Sequence, residues 1–128
     1  RVKNCHITNS IIGAGSRIQA ESIDESVVGL RARIGHGTQI RRSIIMGQDF
    51  YESNDKSQDN PNLDRPSVGI GNNCILEDCI IDKNVRLGCD VTIRPKNRPH
   101  RLDTEIYSVR DGLVVIPKNT TVPARTDI

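Results

Sequence analysis

A chain of 128 residues with 35% hydrophobic but only 2% aromatic side chains has room for one domain and too few large rings for a conventional globular core. Its net charge of +2, from 18 basic and 16 acidic residues, makes no electrostatic case for nucleic acid, while Ile and Val recur too regularly for a disordered polymer. No apolar run has the length of a membrane span and no secretory leader is evident; the sequence opens at Arg1 rather than Met, as expected of a piece of a longer protein.

From the N-terminus, one eight-residue phrase appears four times: CHITNSII (Cys5 to Ile12), ESIDESVV (Glu21 to Val28), TQIRRSII (Thr38 to Ile45) and CILEDCII (Cys74 to Ile81). Each has an aliphatic third residue (Ile7, Ile23, Ile40, Leu76), a small sixth residue (Ser10, Ser26, Ser43, Cys79) and a β-branched pair at its end. The first three begin 16 and 17 residues apart, and the fourth begins 36 residues after the third, two periods and a remainder. A six-residue step runs through the chain, as Ile12 to Ile18, Val28 to Ile34 to Ile40, Ile70 to Leu76, Ile81 to Leu87 to Ile93, and Ile116 to Val122 to Ile128.

A step of six suits neither an amphipathic helix, which repeats every three to four residues, nor a half-exposed antiparallel strand, which alternates. It suits a triangular coil of three short flat strands, each sending one aliphatic side chain inward to stack about 4.8 Å from its counterpart on the next coil. Gly13, Gly29, Gly35, Gly71 and Gly88 follow inward positions and, with Asn and Asp, are expected at corners that need positive φ. The spacing predicts an all-β parallel β-helix over residues 1–128, and the left hand is taken from hexapeptide-repeat proteins as a class. Two polar, Pro-containing stretches, about 48–67 and 94–111, are expected to leave the coil as loops, which solenoids tolerate because neighbouring coils still stack.

The chemistry-bearing residues are sparse. Cys5, Cys74, Cys79 and Cys89 form no C-x-x-C pair and are expected to be reduced thiols serving as small hydrophobes. His6, His36 and His100 are separated by 30 and 64 residues, which disfavours a three-His metal centre of the γ-carbonic-anhydrase kind. His36, in IGHGTQI, is the best placed for the general base of a hexapeptide-repeat acyltransferase, the alternative reading, although an exposed corner residue explains it more simply. The stretch G-A-G-S-R (Gly13 to Arg17) is better explained by corner glycines than by phosphate binding. The basic run Arg94, Lys96, Arg98, His100 and Arg101 is expected to be a solvated loop.

Three segments carry a family resemblance over nearly the whole chain: SVVGLRARIGHGTQIRRSIIMGQDFYE (Ser26 to Glu52), VGIGNNCILEDCIIDKNVRLG (Val68 to Gly88) and YSVRDGLVVIPKNTTVP (Tyr107 to Pro123). Their most specific parts are VVGLR, MGQDFYE, GIGNNC and IIDKN followed by RLG. Together they resemble the C-terminal domain of glucose-1-phosphate adenylyltransferase. The resemblance implies a parent nucleotidyltransferase that makes ADP-glucose and pyrophosphate from ATP and glucose 1-phosphate, for glycogen or starch synthesis, with Mg assisting ATP.

It also implies that this domain lacks the catalytic machinery and its cofactors, is inactive alone, and serves oligomer assembly and allosteric control. The implied partners are an N-terminal catalytic domain, further subunits of a homo- or hetero-tetramer and a phosphorylated small-molecule effector, with no nucleic acid and no membrane. The implied location is cytoplasmic, or plastid in a plant. By the same resemblance Lys83, in IIDKN, and Lys118, after the strand near the C-terminus, are effector-binding residues, joined by Arg31 and Arg33 from VGLRARIG. Departures from the family pattern are Pro117 before Lys118, Arg125 at a usual Gly position, RPKNRPHR after Ile93, and a shorter interval from Lys83 to Lys118. They open the choice of effector from 3-phosphoglycerate to sugar phosphates.

Overall fold

The computed structural model describes residues 1–52 and 66–128, and among them there are strands and turns but no helix. The first coil comprises β1 (His6–Thr8), β2 (Ile11–Ile12) and β3 (Arg17–Ile18), and the second β4 (Ser22–Asp24), β5 (Val27–Val28) and β6 (Arg33–Ile34). The third comprises β7 (Gln39–Arg41), β8 (Ile44–Ile45) and β9 (Gly69–Ile70), and the fourth β10 (Ile75–Glu77), β11 (Cys79–Ile81) and β12 (Arg86–Leu87). The fifth contains β13 (Thr92–Ile93), β16 (Leu113–Ile116) and β17 (Thr121–Val122), with β14 (Arg101–Asp103) and β15 (Ser108–Arg110) inserted after β13. Strands at equivalent positions pair in parallel, so the chain winds around three faces: β1-β4-β7-β10-β13, β2-β5-β8-β11-β16 and β3-β6-β9-β12-β17.

Register puts the six-step residues in line. Ile7, Ile23, Ile40, Leu76 and Ile93 stack on the first face. Ile12, Val28, Ile45, Ile81 and Ile116 stack on the second, and Ile18, Ile34, Ile70, Leu87 and Val122 on the third. All are buried except Ile7 and Ile12 of the first coil, which are half-buried. Side chains of this size each contribute roughly 1.5–3 kcal/mol when fully withdrawn from water, so three aliphatic columns replace the missing aromatic core.

The small sixth residue of each phrase has a structural purpose. Ser26 N donates to Ser10 Oγ at 3.1 Å, Ser43 N to Ser26 Oγ at 3.1 Å, and Cys79 N to Ser43 Oγ at 3.2 Å. Amides that the turning backbone leaves without a carbonyl partner are thereby satisfied inside the prism. Cys74 and Cys79 are buried as expected, Cys5 is half-buried, and Cys89 departs from expectation by standing exposed at a corner.

Positive φ also departs from expectation. It is carried by other glycines, Gly15, Gly37, Gly47 and Gly69 among them, by the expected Asn and Asp, and by Glu and Arg: Asn9, Glu25, Arg42 and Asp78 stack at one corner, Asn73, Asp90 and Arg125 at another, and Arg31, Asn84 and Asn119 at the third. Gly13, Gly29, Gly35, Gly71 and Gly88 have ordinary φ. A Cβ on Gly71 would lie 2.7 Å from the Gly88 carbonyl carbon, and one on Gly29 2.3 Å from the Met46 oxygen. These glycines are required by the closeness of the next coil rather than by their own backbone angles.

The first excursion leaves after β8 and returns at β9; its part at 53–65 lies outside the described residues. The second is more than a loop. β14 and β15 pair antiparallel with each other and β15 with β16, so they extend the second face. The turn from β15 to β16 is Asp111-Gly112, with φ of 52° and 81°, the pair of positive angles of a two-residue hairpin turn.

Candidate functional site

At the corner between the second and third faces, a backbone ladder crosses the coils. Arg31 N donates to Ala14 O at 3.0 Å, Gln48 N to Leu30 O at 3.1 Å, Asn84 N to Gly47 O at 3.2 Å and Asn119 N to Lys83 O at 3.0 Å. The last of these bonds seats Lys118-Asn119 directly upon Lys83-Asn84. Residues 35 positions apart in sequence thus present two ammonium groups from one corner of adjacent coils.

Asp49 organises this corner. Lys83 Nζ lies 3.2 Å from Asp49 Oδ1, Asn84 Nδ2 donates to Asp49 Oδ2 at 3.0 Å, and Asp49 N donates to Asn84 Oδ1 at 2.9 Å. The hydrogen bond from Asn84 and the one from Lys83 hold the Asp49 carboxyl below the usual carboxylate range, and the Lys118 charge adds to the effect from farther away. Lys118 itself is exposed and forms no ion pair among the described residues. The corner therefore offers one ammonium with a resident carboxylate and one without.

Of the two arginines grouped with these lysines, Arg31 lies on the same corner column, its Nε donating to Gln48 O at 3.0 Å. Arg33 does not. It stands on the outer surface of β6, directly opposite Arg17 of β3 and away from the corner.

Asp49, Asn84 and Tyr51 take part without having been singled out as site residues. Tyr51 Oη donates to Gly15 O at 2.7 Å and its ring lies 5.1 Å from the Arg17 guanidinium. Glu52 pairs with Arg86 at 2.7 Å, and Arg86 also donates to Pro66 O at 3.0 Å. The described ends of the first excursion are thus tied to the first and fourth coils. The signal for Asp49, Tyr51 and Glu52 is the MGQDFYE segment and for Asn84 the IIDKN segment, and their partners lie too far along the chain for local pattern to disclose.

The remaining chemistry is dispersed. His6 lies on the outside of β1, His100 in the second excursion, and His36 at a corner where its backbone N donates to Asn72 Oδ1 at 2.9 Å. Among the described residues no three His, Cys, Asp or Glu side chains are grouped to hold a metal ion. Burial pushes the Cys79 thiol up to about 11 and raises those of Cys74 and Cys5. The three therefore lack nucleophilic thiolate character at neutral pH. In the basic run, Lys96 is paired with Asp127 at 2.7 Å.

Three parallel faces, six-residue sides and one inward aliphatic per side define a β-helix of the hexapeptide-repeat class. Residues 1–126 match the family model described as the GLGC left-handed parallel β-helix domain, and the chain belongs to that family. The hand of the coil is therefore left, and the domain is of the type that forms the C-terminal part of glucose-1-phosphate adenylyltransferase, a nucleotidyltransferase.

Proposed function

We propose that this domain binds a phosphorylated effector at the Lys83–Lys118 corner and thereby regulates, and helps to assemble, a glucose-1-phosphate adenylyltransferase. The parent reaction joins ATP and glucose 1-phosphate to give ADP-glucose and pyrophosphate. That chemistry, with the magnesium that accompanies ATP, belongs to an N-terminal catalytic domain, and this domain alone is inactive. The observation that carries the reading is the Asn119 N to Lys83 O bond, which holds two flexible cations on neighbouring coils. Lysines in such a position bind phosphate as point charges and follow a ligand by rotation of their stems.

Binding at a corner biases the parent enzyme only if the bound anion meets the catalytic domain or another subunit differently in the active and inactive states. The assembly is a tetramer in this reading. The test uses the full-length enzyme with 3-phosphoglycerate and a sugar bisphosphate as effectors. Lys83→Ala or Lys118→Ala raises the concentration for half-activation by roughly tenfold, the worth of one charge-assisted contact, and leaves basal turnover in place. Equal loss of basal and activated rates in both variants contradicts the assignment.

A further inference from the structure

Six of the described cations have a carboxylate partner, and the third face carries a group that do not. Arg86 has Glu52, Arg41 has Asp24, Arg42 has Asp78, Lys83 has Asp49, Lys96 has Asp127 and Arg110 has Asp103. Lys3, Arg17 and Arg33 form no ion pair among the described residues, yet they lie together. Arg17 and Arg33 are direct register partners, and the parallel bridge between Val2 and Ile18 brings Lys3 alongside. The next rung after Arg33 is Gly69, which has no side chain to supply a counter-charge. Like charges directly opposite on a sheet are unfavourable, so this arrangement costs stability unless an anion joins it.

The same three side chains, with Gln19, line an open concavity of about 590 Å³. One wall is held in place: Arg17 lies against the Tyr51 ring, and Tyr51 is fixed through its hydroxyl to Gly15 O. A guanidinium restrained in this way loses little freedom when it meets a ligand, and its fork matches tetrahedral phosphate oxygens two at a time.

We propose that the Lys3–Arg17–Arg33 concavity is an anion site for a phosphate group, separate from the Lys83–Lys118 corner. Two adjacent arginines and a lysine match the two negative charges that a phosphate monoester carries above its second pKa, near 6. The ligand is inorganic phosphate or a small phosphate ester. Asp49 and Tyr51, two residues apart, belong one to each site, so one short segment touches both.

The test is arginine footprinting of the intact protein. It is treated with phenylglyoxal in inorganic phosphate, in methyl phosphate, or in sodium chloride of matched ionic strength, and the modified peptides are quantified by mass spectrometry. Phosphate slows modification of Arg17 and Arg33 roughly fivefold or more relative to chloride, while Arg110 in its Asp103 pair reacts at one rate throughout. Protection by methyl phosphate as well assigns the site to esters; protection by inorganic phosphate alone assigns it to the free ion. Lys3→Gln raises the phosphate concentration needed for protection severalfold, whereas Lys83→Gln leaves it unchanged. Equal rates in phosphate and chloride overturn the proposal, as does loss of protection in Lys83→Gln to the extent seen in Lys3→Gln.

Discussion

The Asp49 carboxylate already neutralises Lys83, so a phosphate arriving at the corner exchanges with it rather than filling a bare site. Asp49→Asn is therefore expected to lower the effector concentration for half-activation of the parent enzyme by roughly threefold, within the range measured for exposed ion pairs. The same carboxylate links stability to acidity, together with Asp103, which Arg110 and then Ser108 hold below the usual range. Because both pKa values are depressed in the folded state, their stabilisation is complete above the unfolded value of about 3.9 and is lost as pH falls through the folded values. The thermal midpoint should decline on acidification below about pH 4, and an Asp49→Asn, Asp103→Asn double variant should decline less steeply. Thiol labelling checks the burial pattern: Cys89 should react with iodoacetamide in the native protein, and Cys74 and Cys79 only after unfolding. At this scale the inward aliphatics were legible because each side of the coil contributes one at a fixed step. Asp49 and Tyr51 were not, since their partners Asn84 and Gly15 come from other coils.

Among the elements, the glycines and the hairpin show what local pattern conveys. Glycine after an inward aliphatic was visible in the sequence, but its cause is the neighbouring coil and not φ. Gly71→Ala forces a Cβ against the Gly88 backbone and is expected to cost about 1–3 kcal/mol or more in chemical denaturation, as overpacking does. Gly112→Ala has open space and meets only the penalty of its φ of 81°, about 1–2 kcal/mol. A larger loss at position 112 than at 71 would contradict this assignment of causes. The strands β14 and β15 are not legible from the coil period because the Pro-rich start of 94–111 has no six-residue step. The Asp-Gly turn between Val109 and Leu113 was the available signal, and it belongs to a different, antiparallel rule.

For the molecule as a whole, stability is distributed along three columns in which each rung rests only on its neighbours. Ile34, buried between Ile18 and Ile70, has no other means of filling its layer. Ile34→Ala should lower unfolding free energy by about 2–5 kcal/mol, and Ile34→Asp should prevent cooperative folding, both readable by circular dichroism during thermal denaturation. The topology has a further consequence at Lys83 and Lys118. Their juxtaposition depends on register between coils, set by β11 on β16, β12 on β17 and the Asn119 N to Lys83 O bond at the corner, while the whole β14–β15 excursion lies on the path between them. Contour length and spatial proximity are thus uncoupled: the detour can be trimmed or lengthened as long as β16 lands on β11. Lys83 and Lys118 stay on adjacent coils across that detour, so diversity in its length offers a route to vary what surrounds this corner without relocating either lysine.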